Sequence, residues 1–205
     1  MIIKQFTAGQ LENNIYLLLD EHSKKGVLID ATEMLPEITE ASKGYDIEYI
    51  LLTHGHFDHI MGLNELKKAL NAIAVINKND LIVSDNINEF TRLFNLPDSV
   101  PPTYEKFVND GDLLSVGNLK IKVITTPGHT EGGVCYLIDD KLFSGDTLFR
   151  GSVGRTDLFG GDFRKLENSV KNKLFKLDGK IEVYPGHGPK TTIEHEKKYN
   201  EINTI

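Results

Sequence analysis

The sequence predicts a layered α/β protein, and three observations carry that reading. Apolar, β-prone runs of strand length recur along the whole chain, separated by turns and by segments with helix-start signals. Four short motifs rich in histidine or aspartate each begin where one of those runs ends, after Leu52, Ile124, Phe143 and Tyr184. Strand ends that deliver such groups to one edge of stacked sheets would gather them in one cleft, with helices covering the outer faces.

The elements follow in order. Ile2–Phe6, Ile15–Leu19 and Val27–Ile29 read as strands bounded by polar or glycine-containing turns. Glu33 to Ser42 reads as a helix, with Thr32 as N-cap and Gly44 just past its end. Ile47–Leu52 is a buried strand. Asp58 is placed to cap a helix over Ile60 to Leu70, and Ala72–Ile76 returns as a strand. Asp80 to Phe94 reads as helical, and Leu96-Pro97-Asp98 with Pro101-Pro102 marks a loop. Residues 80–102 are therefore the expected lid or specificity region. Leu113–Val116 and Leu119–Thr125 form a hairpin around Gly117-Asn118, and Val134–Ile138 with Lys141–Phe143 form another around Asp139-Asp140. Phe163 to Phe175 reads as a helix, Ile181–Tyr184 as a strand, and Thr191 to Asn200 as the closing helix.

Length and composition narrow the function classes. A chain of 205 residues supports one substantial core, so residues 1–205 read as one domain. The net charge of −7 and the lack of a basic stripe argue against a nucleic-acid partner. The longest apolar runs are strand-sized, so no membrane partner is expected. The start Met1-Ile2-Ile3-Lys4-Gln5-Phe6 lacks a basic segment followed by an apolar one, which places the protein in the cytoplasm. Cys135 is the only cysteine and sits in an apolar strand, where it reads as core.

Five of the seven histidines lie in three motifs. The densest is Thr53-His54-Gly55-His56-Phe57-Asp58-His59. The others are Pro127-Gly128-His129-Thr130 and Pro185-Gly186-His187-Gly188-Pro189, with Ser144-Gly145-Asp146-Thr147 between them in the sequence. Imidazole and carboxylate bind a zinc-like ion without redox chemistry, and seven such groups suffice for two ions. In a regular helix Asp58 and His59 would diverge by about 100°, so a site here requires a loop, which Gly55 permits. A lone histidine is more often a surface or core residue. Four potential ligands within six residues reverse those odds. His22 and His195 lack such neighbours and read as surface residues.

The order His54-x-His56-x-Asp58-His59, His129, Asp146, His187 resembles the metallo-β-lactamase superfamily over nearly the whole chain. The resemblance implies an αββα four-layer sandwich with a two-metal site at one edge. It implies His54, His56 and His129 as one metal site, Asp58, His59 and His187 as the other, and Asp146 as the bridge. The expected cofactors are two divalent ions, zinc first, with iron or manganese also accepted by these ligands. Asp58 is the expected catalytic residue, orienting a hydroxide that bridges the metals. Asp30, at a strand end, is a candidate to hydrogen-bond a ligand histidine, or else a turn residue.

Within the superfamily, Phe143-Ser144-Gly145-Asp146-Thr147-Leu148-Phe149 and Gly154-Arg155-Thr156-Asp157 are similar to glyoxalase II, which hydrolyses the thioester S-lactoylglutathione. The Pro-Gly-His-Gly-Pro ending resembles the short bacterial, single-domain type that lacks the C-terminal helical glutathione-binding domain. The family pattern makes Arg155 the candidate substrate-binding residue, with an ion pair to Asp157 or Asp162 as the alternative. Asp157 stands where that family carries an aromatic residue. The expected partner is a small-molecule thioester. The competing reading is a non-haem iron persulfide dioxygenase on the same fold, using only His54, His129 and Asp146. A β-lactamase is not expected, because those enzymes are normally exported.

Overall fold

Every residue of the strand Asn13–Asp20 is buried. Successive side chains of a strand point to opposite faces, so this strand must be covered on both sides. Its odd residues Ile15, Leu17 and Leu19 enter one apolar cluster. Tyr16 and Leu18 enter another. That is the signature of an inner layer. A computed structural model describes residues 1–204 and shows the layers directly.

Six strands form the first sheet, in the order β1 (Ile2–Ala8), β2 (Asn13–Asp20), β3 (Lys25–Ile29), β4 (Asp46–Leu51), β5 (Ile73–Ile76) and β6 (Lys106–Phe107). The first three run antiparallel and the rest parallel. The second sheet is β7 (Leu113–Val116), β8 (Leu119–Thr125), β9 (Val134–Ile138), β10 (Lys141–Gly145), β11 (Glu182–Pro185) and β12 (Thr191–Thr192), also in spatial sequence. All its pairs are antiparallel except β10 with β11.

Three cores hold these layers. Between the sheets, Tyr16, Val27, Ile29 and Leu51 meet Ile121, Tyr136, Phe143 and Tyr184. Tyr16 makes edge contacts with Phe143 and Tyr184, with ring centroids 5.2 and 5.6 Å away. On the outer face of the first sheet lie α1 (Pro36–Ala41), α2 (Phe57–Ile60), α3 (Leu63–Leu70), α4 (Leu81–Asp85) and α5 (Ile87–Leu93). Against the second sheet lie α6 (Phe163–Asn168) and α7 (Ile193–Tyr199), through Leu166 and Ile193. The result is the expected αββα sandwich.

Several boundaries differ from the sequence reading for identifiable reasons. The helix expected from Glu33 begins at Pro36, where a missing N–H costs nothing. Thr32 does not cap it, because the Ala31 backbone is bonded to the turn after α2: Ala31 N donates to His59 O, and Gly62 N donates to Ala31 O. The same bond from Gly62 divides the helix expected over Ile60–Leu70 into α2 and α3. Asp58 caps neither; its carboxylate turns into the site. The segment Asp80–Phe94 breaks at Asn86 into α4 and α5. The helix over Phe163–Phe175 continues beyond α6 as a π turn and a 3-10 turn. Two short strands, β6 and β12, escaped the sequence reading. Thr192 rather than Thr191 begins the closing helix, its hydroxyl accepting from His195 N.

Candidate metal centre

Four strand ends converge at one edge of the sandwich. The loop after β4 carries His54 and His56, and the single helical turn α2 that follows carries Asp58 and His59. This part of the site is thus built on a helical turn and not, as expected, on a loop: the two side chains diverge, and Asp58 and His59 reach the same trio from different sides. The loops after β8, β10 and β11 carry His129, Asp146 and His187. All seven residues singled out in the sequence therefore meet, although one group comes from the first sheet and the other from the second. Donor atoms of His54, His56 and His129 lie within 4.8 Å of one another, as do those of Asp58, His59 and His187. Asp146 stands between the trios. Its Oδ1 is 3.3 Å from His59 Nε2, and its Oδ2 is 3.6 Å from His129 Nε2 and 3.4 Å from His187 Nε2.

Close backbone approach makes this crowding possible. Gly145 has φ +49°, and a Cβ there would stand 2.4 Å from Thr53 Oγ1. A Cβ on Gly186 would stand 2.3 Å from Asp146 Oδ1. A side chain at Gly145 would push Thr53 aside, and one at Gly186 would displace the donor Asp146 itself.

Outer hydrogen bonds fix how the imidazoles face. His59 Nδ1 lies 2.8 Å from Asp30 Oδ2, His129 Nδ1 lies 2.7 Å from Arg155 O, and His187 Nδ1 lies 2.8 Å from Leu11 O. An acceptor on one ring nitrogen fixes the proton there and leaves the other nitrogen with a lone pair toward the site. Asp30 thus takes the role of histidine support. It holds φ +61° and also accepts from Thr53 N and Oγ1.

Charge is tightly balanced. Burial, then the His59, His56 and His129 rings, holds His54 well below its ordinary value. Burial and His129 push His56 down to about 3. Burial alone would raise Asp58, but His59, His187 and Asn13 bring it to about 2. Asp146 is likewise held low against its burial, by His59 and His187. His59 stays well above its ordinary value despite burial, because Asp146, Asp30 and Asp58 face it. Burial opposes protonation of His187, but its bonds to Asp146 and Asp58 raise it to about 9. The imidazoles pushed up are thus those that face the carboxylates of Asp30, Asp58 and Asp146.

Buried polar atoms without partners are costly and rare. Here His54 Nε2, His56 Nε2, His59 Nε2 and Asp146 Oδ1 are all buried and make no hydrogen bond. Nitrogen and carboxylate donors left unpaired around one point fit a divalent cation.

Three supporting residues were given no role in the sequence reading. Asn13, at the start of β2, donates from Nδ2 to Asp58 Oδ2 at 2.9 Å. Thr53 Oγ1 lies 3.1 Å from His54 Nδ1. Asp80 is fully buried: its Oδ2 accepts from Gly55 N and Thr130 Oγ1, both at 2.8 Å, and its Oδ1 accepts from Gly132 N at 2.6 Å. It clasps the His56 loop to the His129 loop. In the sequence it read only as the start of a helical segment.

The remaining expectations fall as follows. Arg155 lines the cleft but its guanidinium forks onto Asp157, at 2.7 and 2.8 Å, with both side chains more than half exposed. His22 is exposed, and the His195 side chain is 38% exposed. Cys135 is buried in the core. Among the described residues, no helix is long and apolar enough to cross a membrane.

Comparison with known proteins agrees with this geometry. Residues 8–187 match the profile of the metallo-beta-lactamase superfamily. The hydroxyacylglutathione hydrolase GloC of Haemophilus influenzae is 32% identical, over 98% of this chain and 97% of its own. The probable metallo-hydrolase YqgX of Bacillus subtilis is 30% identical, over 96% and 95%. Among solved structures, the BLEG-1 B3 metallo-beta-lactamase superposes with a TM-score of 0.91 at 31% identity, covering 100% of both chains. TTHA1623 in a di-iron-bound form gives 0.85 at 35%, over 96% and 98%. ETHE1 from Myxococcus xanthus gives 0.82 at 29%, over 98% and 83%. By sequence profile, by relatives and by the fold that brings its histidines together, the chain belongs to the metallo-beta-lactamase superfamily of metallo-hydrolases.

Proposed function

We propose that this chain is a binuclear metallohydrolase of thioesters, similar in type to glyoxalase II and acting as one domain in the cytoplasm. The observation that carries the proposal is the completeness of both donor trios with Asp146 between them. In this reading His54, His56 and His129 would hold one divalent ion, Asp58, His59 and His187 would hold the other, and Asp146 would serve both. Zinc is the first expectation; the similarity to a protein solved in a di-iron form keeps iron in view. When bound, such ions lower the pKa of a shared water to near neutrality and polarise a carbonyl.

The chain's own residues supply the rest. Asn13 holds Asp58 Oδ2, so Asp58 is fixed in position to orient the attacking water. Asp30, Leu11 O and Arg155 O hold the histidine rings in one tautomer. Arg155 can receive a substrate carboxylate on leaving Asp157. An ion pair this exposed is worth at most about 1 kcal/mol, so the exchange is cheap.

The second reading, a persulfide dioxygenase, is favoured by the similarity to ETHE1. It needs only His54, His129 and Asp146, and leaves the Asp58, His59 and His187 trio without a task. Anaerobic metal quantification, followed by parallel assays on S-lactoylglutathione and glutathione persulfide, separates the two. Two ions per chain with thioester hydrolysis supports the proposal. One iron with oxygen consumed on persulfide replaces it. A β-lactam belongs in the same panel, given the similarity to BLEG-1.

A further inference from the structure

We propose that the thioesters this site takes carry an apolar acyl group, seated in a side pocket next to Asp58. The inference rests on the thioesterase reading and deepens it. Two cavities adjoin at the site. The one over the donors holds about 260 Å³ and is lined by His56, His129, Asp146 and Arg155 among others. The second holds about 330 Å³ and extends away from them, walled by Leu11, Phe57, Met61, Phe94, Leu96 and Pro97. Leu11, Phe57, Asp58 and Phe94 line both, so the two spaces are continuous past Asp58.

Chemistry decides which part of a thioester enters the second cavity. Its lining holds no lysine, arginine or histidine, and its ionisable groups are the carboxylates of Glu33 and Asp58. A glutathionyl group carries two carboxylates and would be repelled there. Arg155 lines only the first cavity. With the carbonyl held over the donors, a charged thiol portion extends toward Arg155 and the acyl chain extends past Asp58. Phe57 and Phe94 face each other with ring centroids 5.0 Å apart and planes tilted by 36°, giving the pocket a firm aromatic wall. A lactoyl group would place its hydroxyl against this wall without a clear benefit, whereas each methylene of an aliphatic acyl chain leaves water.

The test uses two series on the full-length, metal-loaded protein. Acyl-glutathione thioesters from acetyl to hexanoyl are assayed for kcat/KM. S-(2-oxoalkyl)glutathiones of matching length, whose extra methylene between sulfur and carbonyl removes the scissile bond, are titrated calorimetrically. Burial predicts a gain of about fourfold per added methylene in both series. Leu96→Glu should flatten that dependence, lowering kcat/KM for the hexanoyl thioester far more than for the acetyl thioester. Phe94→Ala, at a side chain already 37% exposed, provides a second variant that does not depend on Leu96→Glu folding. It should weaken hexanoyl selectively. Thioester hydrolysis without chain-length dependence overturns the pocket assignment and leaves the thioesterase reading standing. Chain-length-dependent binding of the ketones without any thioester hydrolysis does the reverse.

Discussion

Replacing Asp80 with alanine should loosen the metal centre without removing a single donor. Asp80 accepts three hydrogen bonds, from Gly55 N, Gly132 N and Thr130 Oγ1. All three donor residues are buried. Orphaning a buried donor costs about 1–3 kcal/mol. Against that stands the burial of the carboxylate itself, which raises its pKa despite the three bonds. Alanine removes that cost, so the lower part of the range applies, about 3–4 kcal/mol in all. For a chain of this size each kcal/mol lowers Tm by about 2–4 °C, so a fall of about 6–16 °C is expected. The His56 and His129 loops lose their clasp together, and metal affinity should fall about 10–100-fold, as when a ligand's outer support is removed. Asp80→Asn keeps the volume and one acceptor, and should fall between. Scanning calorimetry of the apo-protein and competition with a chelating dye read the two effects separately. A variant that melts within about 2 °C of the parent and binds metal equally well would refute the clasp.

Three further outcomes follow from the same geometry. Asp58→Ala should leave the fold intact and lower turnover by about two orders of magnitude or more, because the group caps no helix, points from the single turn α2 into the site and orients the attacking water; steady-state kinetics at matched metal content checks this. Arg155→Ala should raise KM for carboxylate-bearing thioesters and spare neutral ones, whereas Asp157→Asn, which frees the guanidinium, should lower that KM; equal losses on both substrate types would make Arg155 structural. Metal uptake by apo-protein should release protons at pH 7.5, because His59 and His187 are held protonated above their ordinary values and must lose those protons to bind. The His187 share should vanish as the pH passes about 9, and calorimetry in buffers of different ionisation enthalpy measures it.

The sequence made the donors legible because their chemistry is dense and local. His54 to His59 advertise themselves within six residues, and His129, Asp146 and His187 each follow a run that folds as a strand. Strand faces were legible for the same reason: apolar runs such as Ile15–Leu19 leave no polar side to expose. What stayed hidden depends on tertiary hydrogen bonds. Gly62 ends a helix because its N–H goes to Ala31 O, and no local pattern announces that. Asp80 and Asn13 look like ordinary polar residues until the chain brings Gly55, Gly132 and Asp58 to them. β6 and β12 are two residues each, too short for periodicity to register.

The order of the strands has one more consequence. β1 to β6 complete the first sheet before β7 begins the second, so the only strand-type pairing between the two halves among the described residues is the isolated bridge of Asn13 with His187. A cut in the turn at Asn109–Asp112 would sever no strand pairing within either sheet. What joins the halves is the apolar seam, a few bonds such as Val134 N to Thr53 O, and the cluster itself, with His54, His56, Asp58 and His59 on one piece and His129, Asp146 and His187 on the other. An ion held by both groups would act as a rivet between two polypeptides. The two fragments, produced together, are expected to reassemble in proportion to added metal and to separate again under a chelator, which would turn this hydrolase scaffold into a metal-dependent split protein.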